Sequence, residues 1–165
     1  MKLLLKKIYR KICTVLVQKK CKNCGKDLRV NRRSKVTKKT QLGNNVNFYG
    51  MVISGNGNVV IGNNFHAGPE CMMISSFHNY DEGEAIPYDH TSIDKDIIIE
   101  DNVWLGARVT ILGGVTIGEG AIIQAGSVVV KDIPQYGIAG GHPAKVFKTR
   151  DIEHYEKLKT MQKFV

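Results

Sequence analysis

From Ile99 to Val129 an aliphatic side chain returns at every sixth position: Ile99, Leu105, Ile111, Ile117, Ile123 and Val129. Two residues ahead of these, a second column of small or aliphatic residues runs Ile97, Val103, Val109, Val115, Ala121, Ser127 and Ile133. Helices repeat at about 3.6 residues and strands at about 2, so a strict six belongs to neither. It predicts a parallel β-helix, in which each short strand and its turn form one wall of a coil. Gly62, Gly106 and Gly118 directly follow column residues. We expect them at corners, where a residue without Cβ takes the turn at little cost. The spacing also runs through Val30, Val36, Leu42 and Phe48 and slips near Gly55-Asn56-Gly57-Asn58. It resumes with Val59/Ile61, Phe65/Ala67 and Cys71/Met73, then stops at Phe77.

Residues 78–96 carry no repeat, and the pattern restarts at Ile97. A solenoid that leaves such a stretch out of its coil puts a loop on its surface, and long loops in compact domains are usually functional. Ahead of the repeats, residues 1–18 predict a short amphipathic helix. Leu4, Leu5, Ile8, Ile12, Val15 and Leu16 lie on one face, and Lys2, Lys6, Lys7, Arg10 and Lys11 mostly around the other. Two compatible roles fit it: a cap across the blunt end of the β-helix, and a contact with an anionic membrane surface. Residues 19–40 read as an irregular first coil. A second helix is expected from about Asp151 to Gln162, with Asp151 as its N-cap and His154 in its first turn. The expected organisation is therefore 1–40, helix and irregular lead-in; 41–134, repeat body with excursion loop 78–96; and 135–165, tail and helix.

The 165 residues suit one domain, and their formal charge of +9 is unevenly spread. Residues 1–40 hold fifteen Lys or Arg against Asp27 alone, whereas residues 41–165 hold nine against fourteen acids. The basic character belongs to the arm and not to the body. Nucleic acid explains it poorly, since residues 19–40 contain no Phe, Tyr or Trp to stack on bases. The four cysteines are too few and scattered for a secreted disulfide framework. Cys21-Lys-Asn-Cys24 lacks the second pair or nearby His that a tetrahedral zinc site needs. No apolar run approaches the ~20 residues of a bilayer span, and lysines interrupt the Leu3-Leu4-Leu5 start. The expectation is an intracellular, cytoplasmic protein, peripheral at the inner face of the membrane if the arm binds there.

Several blocks carry a resemblance. Asp101-Asn102-Val103-Trp104-Leu105-Gly106, Gly114-Val115-Thr116-Ile117-Gly118, Ala125-Gly126-Ser127-Val128-Val129 and Pro143-Ala144-Lys145 resemble the hexapeptide-repeat acyltransferases. The likeness is to the branch with maltose and galactoside O-acetyltransferases and capsule or O-antigen acetyltransferases. Ser75-Ser76-Phe77-His78-Asn79-Tyr80 fits the same branch just before its excursion loop. The resemblance implies a mainly β chain forming a left-handed parallel β-helix, an exception to the usual right-handed crossover. It further implies a homotrimer with active sites between subunits, acetyl-CoA as co-substrate, no metal, and a sugar or oligosaccharide acceptor from surface polysaccharide synthesis.

By that resemblance His78 is the catalytic base, and the chemistry accords with it. A sugar hydroxyl is a poor nucleophile at neutral pH, and imidazole is the side chain whose ordinary pKa suits it to take the proton. The tetrahedral oxyanion formed on the thioester then needs donors such as a backbone N–H. Asn79, Tyr80 and His90 are the loop's candidates for touching the acceptor, with His90 also the rival base. Ala107 and Ala125 match turns that line the pantetheine arm, and Trp104 matches the aromatic beside that groove. Lys131, Lys145 and Lys148 match basic positions that meet the nucleotide and its phosphates. Gln124, Val130 and His142 depart from the family's usual residues. Other readings stay open: transfer to an amino sugar or an antibiotic, or a non-catalytic scaffold. The scaffold reading includes a metal site of the γ-carbonic anhydrase kind, since His66, His78 and His90 are spaced by twelve residues.

Overall fold

A computed structural model describes residues 2–165, and Met1 lies outside the described residues. The chain is mainly β, a parallel β-helix of three walls with one α-helix at each end. The first wall stacks Asn23–Cys24, Thr40–Leu42, Val59–Ile61, Ile97–Ile99 and Thr116–Ile117. The second stacks Arg29–Val30, Asn47–Tyr49, His66–Pro69, Trp104–Leu105, Ile122–Ile123 and Gly137–Gly141. The third stacks Val52–Ser54, Met72–Ile74, Thr110–Leu112 and Val128–Val129, with Lys35 bridging to Val52 beneath them.

The six-residue columns are the core. Ile99, Leu105, Ile111, Ile117, Ile123 and Val129 are each at most 1% exposed. Within each wall like positions sit above one another: Ile61, Ile99 and Ile117 in the first, Met73, Ile111 and Val129 in the third. Each inward-facing column residue therefore packs against its neighbours in the adjacent coils and the opposite walls.

The corners differ from expectation in one respect. Gly62, Gly106 and Gly118 have ordinary negative φ, so turn conformation does not require them. What requires them is the next coil. A Cβ on Gly106 would lie 2.5 Å from the backbone nitrogen of Ala125, and one on Gly118 2.5 Å from that of Gln135. The left-handed corner positions lie two residues further on, at Asn64, Arg108 and Gly120, with φ of 52°, 56° and 70°, and Asn45 and Asn102 share the corner of Asn64 with φ of 53° and 61°. Asparagine tolerates that region, and its amide hydrogen-bonds locally. Asn45 Nδ2 donates to Asn64 Oδ1 at 3.0 Å, and Asn64 Nδ2 donates to Asn102 Oδ1 at 2.8 Å. Asn102 Nδ2 donates in turn to Glu119 Oε1 at 3.0 Å, so the ladder climbs the solenoid.

The excursion leaves the third wall after Ile74. Lys95 N donates to Ser75 O at 2.9 Å, closing its base, and Ser76–His78 pairs antiparallel with Ser92–Asp94. The first wall ignores it: Val59–Ile61 pairs directly with Ile97–Ile99. Coiling also outlasts Pro134. Ile133 bridges to Ile117, and Gly137–Gly141 adds a parallel strand to the second wall before Ala144–Thr149 folds back antiparallel on it.

The first helix, α1, spans Lys2–Lys20, and the second, α2, spans Ile152–Thr160. Asp151 caps α2, accepting from His154 N at 2.9 Å. α1 covers the first coil, whose downward-facing N–H groups have no preceding strand to meet. Thr14 Oγ1 accepts from Val30 N at 3.1 Å and Tyr9 Oη from Arg33 N at 3.3 Å. Cys13 and Val17 are the helix residues that join the core, at 3% and 1% exposed.

Candidate active site

The excursion loop is shaped by its own polar side chains. Asn79 N donates to Thr91 O, and Asn79 Oδ1 accepts from Glu82 N at 3.2 Å. Asp89 Oδ2 accepts from Glu84 N at 2.9 Å, while its Oδ1 accepts from Thr91 N at 2.8 Å and from Thr91 Oγ1. The Thr91 hydroxyl, with those two amides, holds the Asp89 carboxyl down at about 2. Two of the loop's polar residues thus fix its course. His78 ends the strand paired with Ser92, and its exposed ring stacks on Tyr88 with centroids 3.7 Å apart and planes at 7°. That contact orients the imidazole, and Tyr88 was not among the sequence candidates. Its only signal was an aromatic within the excluded loop.

A cleft of about 340 Å³ opens between the base of the excursion and the third wall; strand alternation turns His78 to the face opposite Phe77, and His78 does not line it. Ile74, Phe77, Tyr80, Lys95, Leu112 and Val130 line it. Lys95 Nζ lies 5.3 Å from the Phe77 ring centroid, a cation over an aromatic face. Tyr80, 65% exposed, therefore faces both solvent and cleft. His90 is exposed beside Asp89, away from any wall strand.

The residues expected to hold a cofactor fall in separate places within one chain. Ala107 and Ala125 stack at the corner between the second and third walls, where Gly126 N donates to Ala107 O at 2.8 Å. Small residues above and below keep this edge low: Gly68 packs under Ala107, and Gly106 under Ala125. Lys145 pairs with Gly140 and Lys148 with Ile138, one strand outward from that edge. Lys131 follows Val129 and Val130, past the third wall on the side where the excursion departs. Lys131, Lys145 and Lys148 are exposed, and among the described residues none makes a salt bridge. A narrow edge of small residues with the unpaired Lys145 and Lys148 one strand away fits a thin polar chain ending in phosphates, and Lys131 lies at the other corner.

Trp104 lies elsewhere, on the second wall between His66 and Ile122. It is 54% exposed and lines a second cleft, of about 320 Å³, closed by α2 and the residues after it. The floor of this cleft is a polar network that sequence reading missed. Tyr155 Oη accepts from Asn102 Nδ2 at 2.8 Å and donates to Glu119 Oε1 at 3.1 Å. Lys159 Nζ pairs with the same Glu119 oxygen at 2.6 Å. Burial pushes the Tyr155 hydroxyl far above its ordinary pKa, so it remains a donor. The periodicity of α2 gave no signal for this, because its partners lie on corners of the solenoid.

Among the described residues no group of three or more His, Cys, Asp or Glu side chains is gathered to hold a metal ion. No helix among them is long and apolar enough to cross a membrane.

Residues 96–131 match the bacterial transferase hexapeptide family, six repeats. A protein of Schizosaccharomyces pombe, provisionally named an acetyltransferase, is 43% identical over 90 residues, covering 53% of this chain and 41% of its own. A similarly named protein of Saccharomyces cerevisiae is 36% identical over 105 residues, covering 62% and 53%. The chain thus spans about half the length of these relatives. Among solved structures, a galactoside acetyltransferase in complex with coenzyme A superposes with a TM-score of 0.75 at 27% identity, over 86% of this chain and 71% of that one. A maltose O-acetyltransferase from Clostridium difficile gives 0.61 at 25% identity, over 88% of each chain. The six-residue core columns, the stacked corners and these likenesses agree: the chain folds as a parallel β-helix built on six-residue repeats, and it is similar to the galactoside and maltose acetyltransferases.

Proposed function

We propose that the chain is an acyltransferase that moves an acetyl group from acetyl-CoA to a sugar hydroxyl, with His78 as general base. The observation that carries this is the excursion. It presents an exposed imidazole, ring-stacked on Tyr88, at the end of the short strand whose Phe77 lines the cleft with Tyr80. The thioester supplies an activated acetyl carbon. The chain's own work is to hold the acceptor hydroxyl against His78, which takes its proton as the oxygen attacks and returns it to the departing thiolate. No acyl-enzyme is needed. Cys71 suits no nucleophile's role, since it is buried with its thiol pushed up by desolvation and donating to Gly106 O.

Asn79, Tyr80 and His90 are proposed to meet the acceptor, although Asn79 also braces the loop. The Ala107–Ala125 edge is proposed to carry the pantetheine arm, with Lys131, Lys145 and Lys148 at the phosphates and Trp104 flanking. Within one chain these groups are distributed over two corners and a wall. A homotrimer, in which one subunit's wall faces its neighbour's corner, would bring them around a single groove. The galactoside and maltose enzymes make a sugar the acceptor class to try first. A surface-polysaccharide precursor and a cytoplasmic site of action belong to the same proposal.

The test is thiol release from acetyl-CoA across a panel of sugars, amino sugars and oligosaccharides, comparing wild type with His78→Ala. Acceptor-dependent release that falls by about 10²–10⁴ in the variant supports the assignment. Undiminished release from the variant moves the base elsewhere. Failure to bind coenzyme A returns the chain to the scaffold reading.

A further inference from the structure

α1 carries two apolar seams where a capping helix needs one. Cys13 and Val17 are buried against the first coil. Leu4, Leu5, Ile8, Ile12, Val15 and Leu16 are not, each between 37% and 62% exposed. At about 100° per residue, these six fall within a sector of about 120°, and the buried pair lies roughly 140° from its centre. The cap is therefore satisfied without them, and the wider apolar face points away from the β-helix.

The charges around that face narrow its partner. α1 contains no acidic residue, and Lys7 and Lys11 border the stripe on one side, Lys20 on the other. The first coil continues the same sign through Arg29, Arg32 and Arg33. A second copy pairing through this face would set cation against cation with no carboxylate on either helix to offset it. The stripe is the outer, convex side of a single helix, which suits a fluid interface better than a shaped protein partner. We propose that α1 docks the protein peripherally on an anionic lipid bilayer, its apolar stripe at the acyl boundary and its lysines among the headgroups. The β-helix would stay attached through Cys13, Val17 and the hydrogen bonds of Thr14 and Tyr9.

The test uses the full chain and sedimentation with vesicles of phosphatidylcholine containing 30% phosphatidylglycerol, against pure phosphatidylcholine. The protein should pellet with the anionic vesicles and not the neutral ones. Raising salt from 0.1 to 0.5 M should weaken binding about tenfold, as the Debye length shortens. The double variant Ile8→Asp, Ile12→Asp should lose at least about tenfold in partition, because each carboxylate would have to enter the acyl boundary. It leaves Cys13 and Val17 in place, and its far-UV circular dichroism should match wild type. Equal binding by the double variant, or no binding of wild type to anionic vesicles, overturns the proposal. If in addition the variant lowers the mass seen by sedimentation velocity, the face belongs to a second copy. If wild type instead binds an acidic amphipathic peptide, it belongs to a protein. Thiol release with soluble acceptors is read on the same variant, so failure of membrane docking and failure of acetyl transfer register separately.

Discussion

Two neighbouring glycines at one corner separate two reasons for a glycine. Gly106 has no unusual φ, but a Cβ there would sit 2.5 Å from Ala125 N and 2.8 Å from Ala125 Cα. Gly126 has a φ of +72° and nothing within 4 Å of its would-be Cβ. In Gly106→Ala the obstacle is backbone of the next coil, held at ladder spacing by the bonds from Trp104 N and Gly106 N to Ala121 O and Ile123 O. Relief requires those bonds to stretch, and overpacking against a fixed neighbour costs about 1–3 kcal/mol. We place this case at about 3 kcal/mol. Gly126→Ala meets only the left-handed penalty, about 1 kcal/mol, and Gly126→Asn should recover most of it. For a chain of this size each 1 kcal/mol shifts Tm by about 2–4 °C. Gly106→Ala should therefore melt about 6–12 °C low and Gly126→Ala about 2–4 °C low. The measurement is thermal unfolding by far-UV circular dichroism at one fixed protein concentration. A Gly106→Ala variant no worse than Gly126→Ala would refute the argument that coil contact, and not turn conformation, demands the glycine.

Ile111→Ala, emptying a fully buried position between Met73 and Val129, should cost about 3–4 kcal/mol in urea unfolding. If Lys145 meets a CoA phosphate as proposed, Lys145→Ala should raise KM for acetyl-CoA about threefold to tenfold with kcat little changed, since that contact is far from the transferred acetyl. The excursion should respond to acid through Asp89. Its carboxyl is held lower in the folded loop than in an open chain, so it stabilises the loop above its ordinary value near ~3.9. That contribution fades as pH falls from there through about 2. Protection of the Thr91 and Glu84 amides against hydrogen exchange, taken relative to the intrinsic rate at each pH, should fall over that interval in wild type, and at neutral pH already in Asp89→Ala.

The repeat was readable in the residues because each column position has one environment in every coil: the inside of a narrow prism, filled mostly by small or aliphatic chains with Phe48 and Phe65 as its aromatic members. Ile99 through Val129 obey that without exception, and all are buried. The excursion was readable for the opposite reason, as the place where the rule lapses. Features set by contacts between distant segments were not readable. Gly137–Gly141 belongs to the second wall by pairing with Ile122–Ile123, yet its glycines carry no column signature. Cys13 and Val17 became the docking seam of α1 although the wider stripe on the same helix is more apolar. Which stripe turns inward depends on where Thr14 and Tyr9 meet the first coil. The stacking of Tyr88 on His78 joins residues across a loop whose turns are fixed by Asn79 and Asp89. No periodicity could foretell it.

Since Val60 pairs with Ile98 as though nothing lay between them, the solenoid counts the excursion as having no length at all. Its two arms zip to each other, and its neck is pinned to the frame at Ser75, Ser76 and Asp96, with Lys95 N closing on Ser75 O. The segment behaves as an interchangeable cartridge seated in a fixed frame. Its tip can grow, shrink or be replaced wholesale while the register of every coil above and below stays as it is. Diversification of what such a protein acts upon can therefore proceed with little penalty to folding, and loop exchange between relatives is the engineering route that the architecture leaves open.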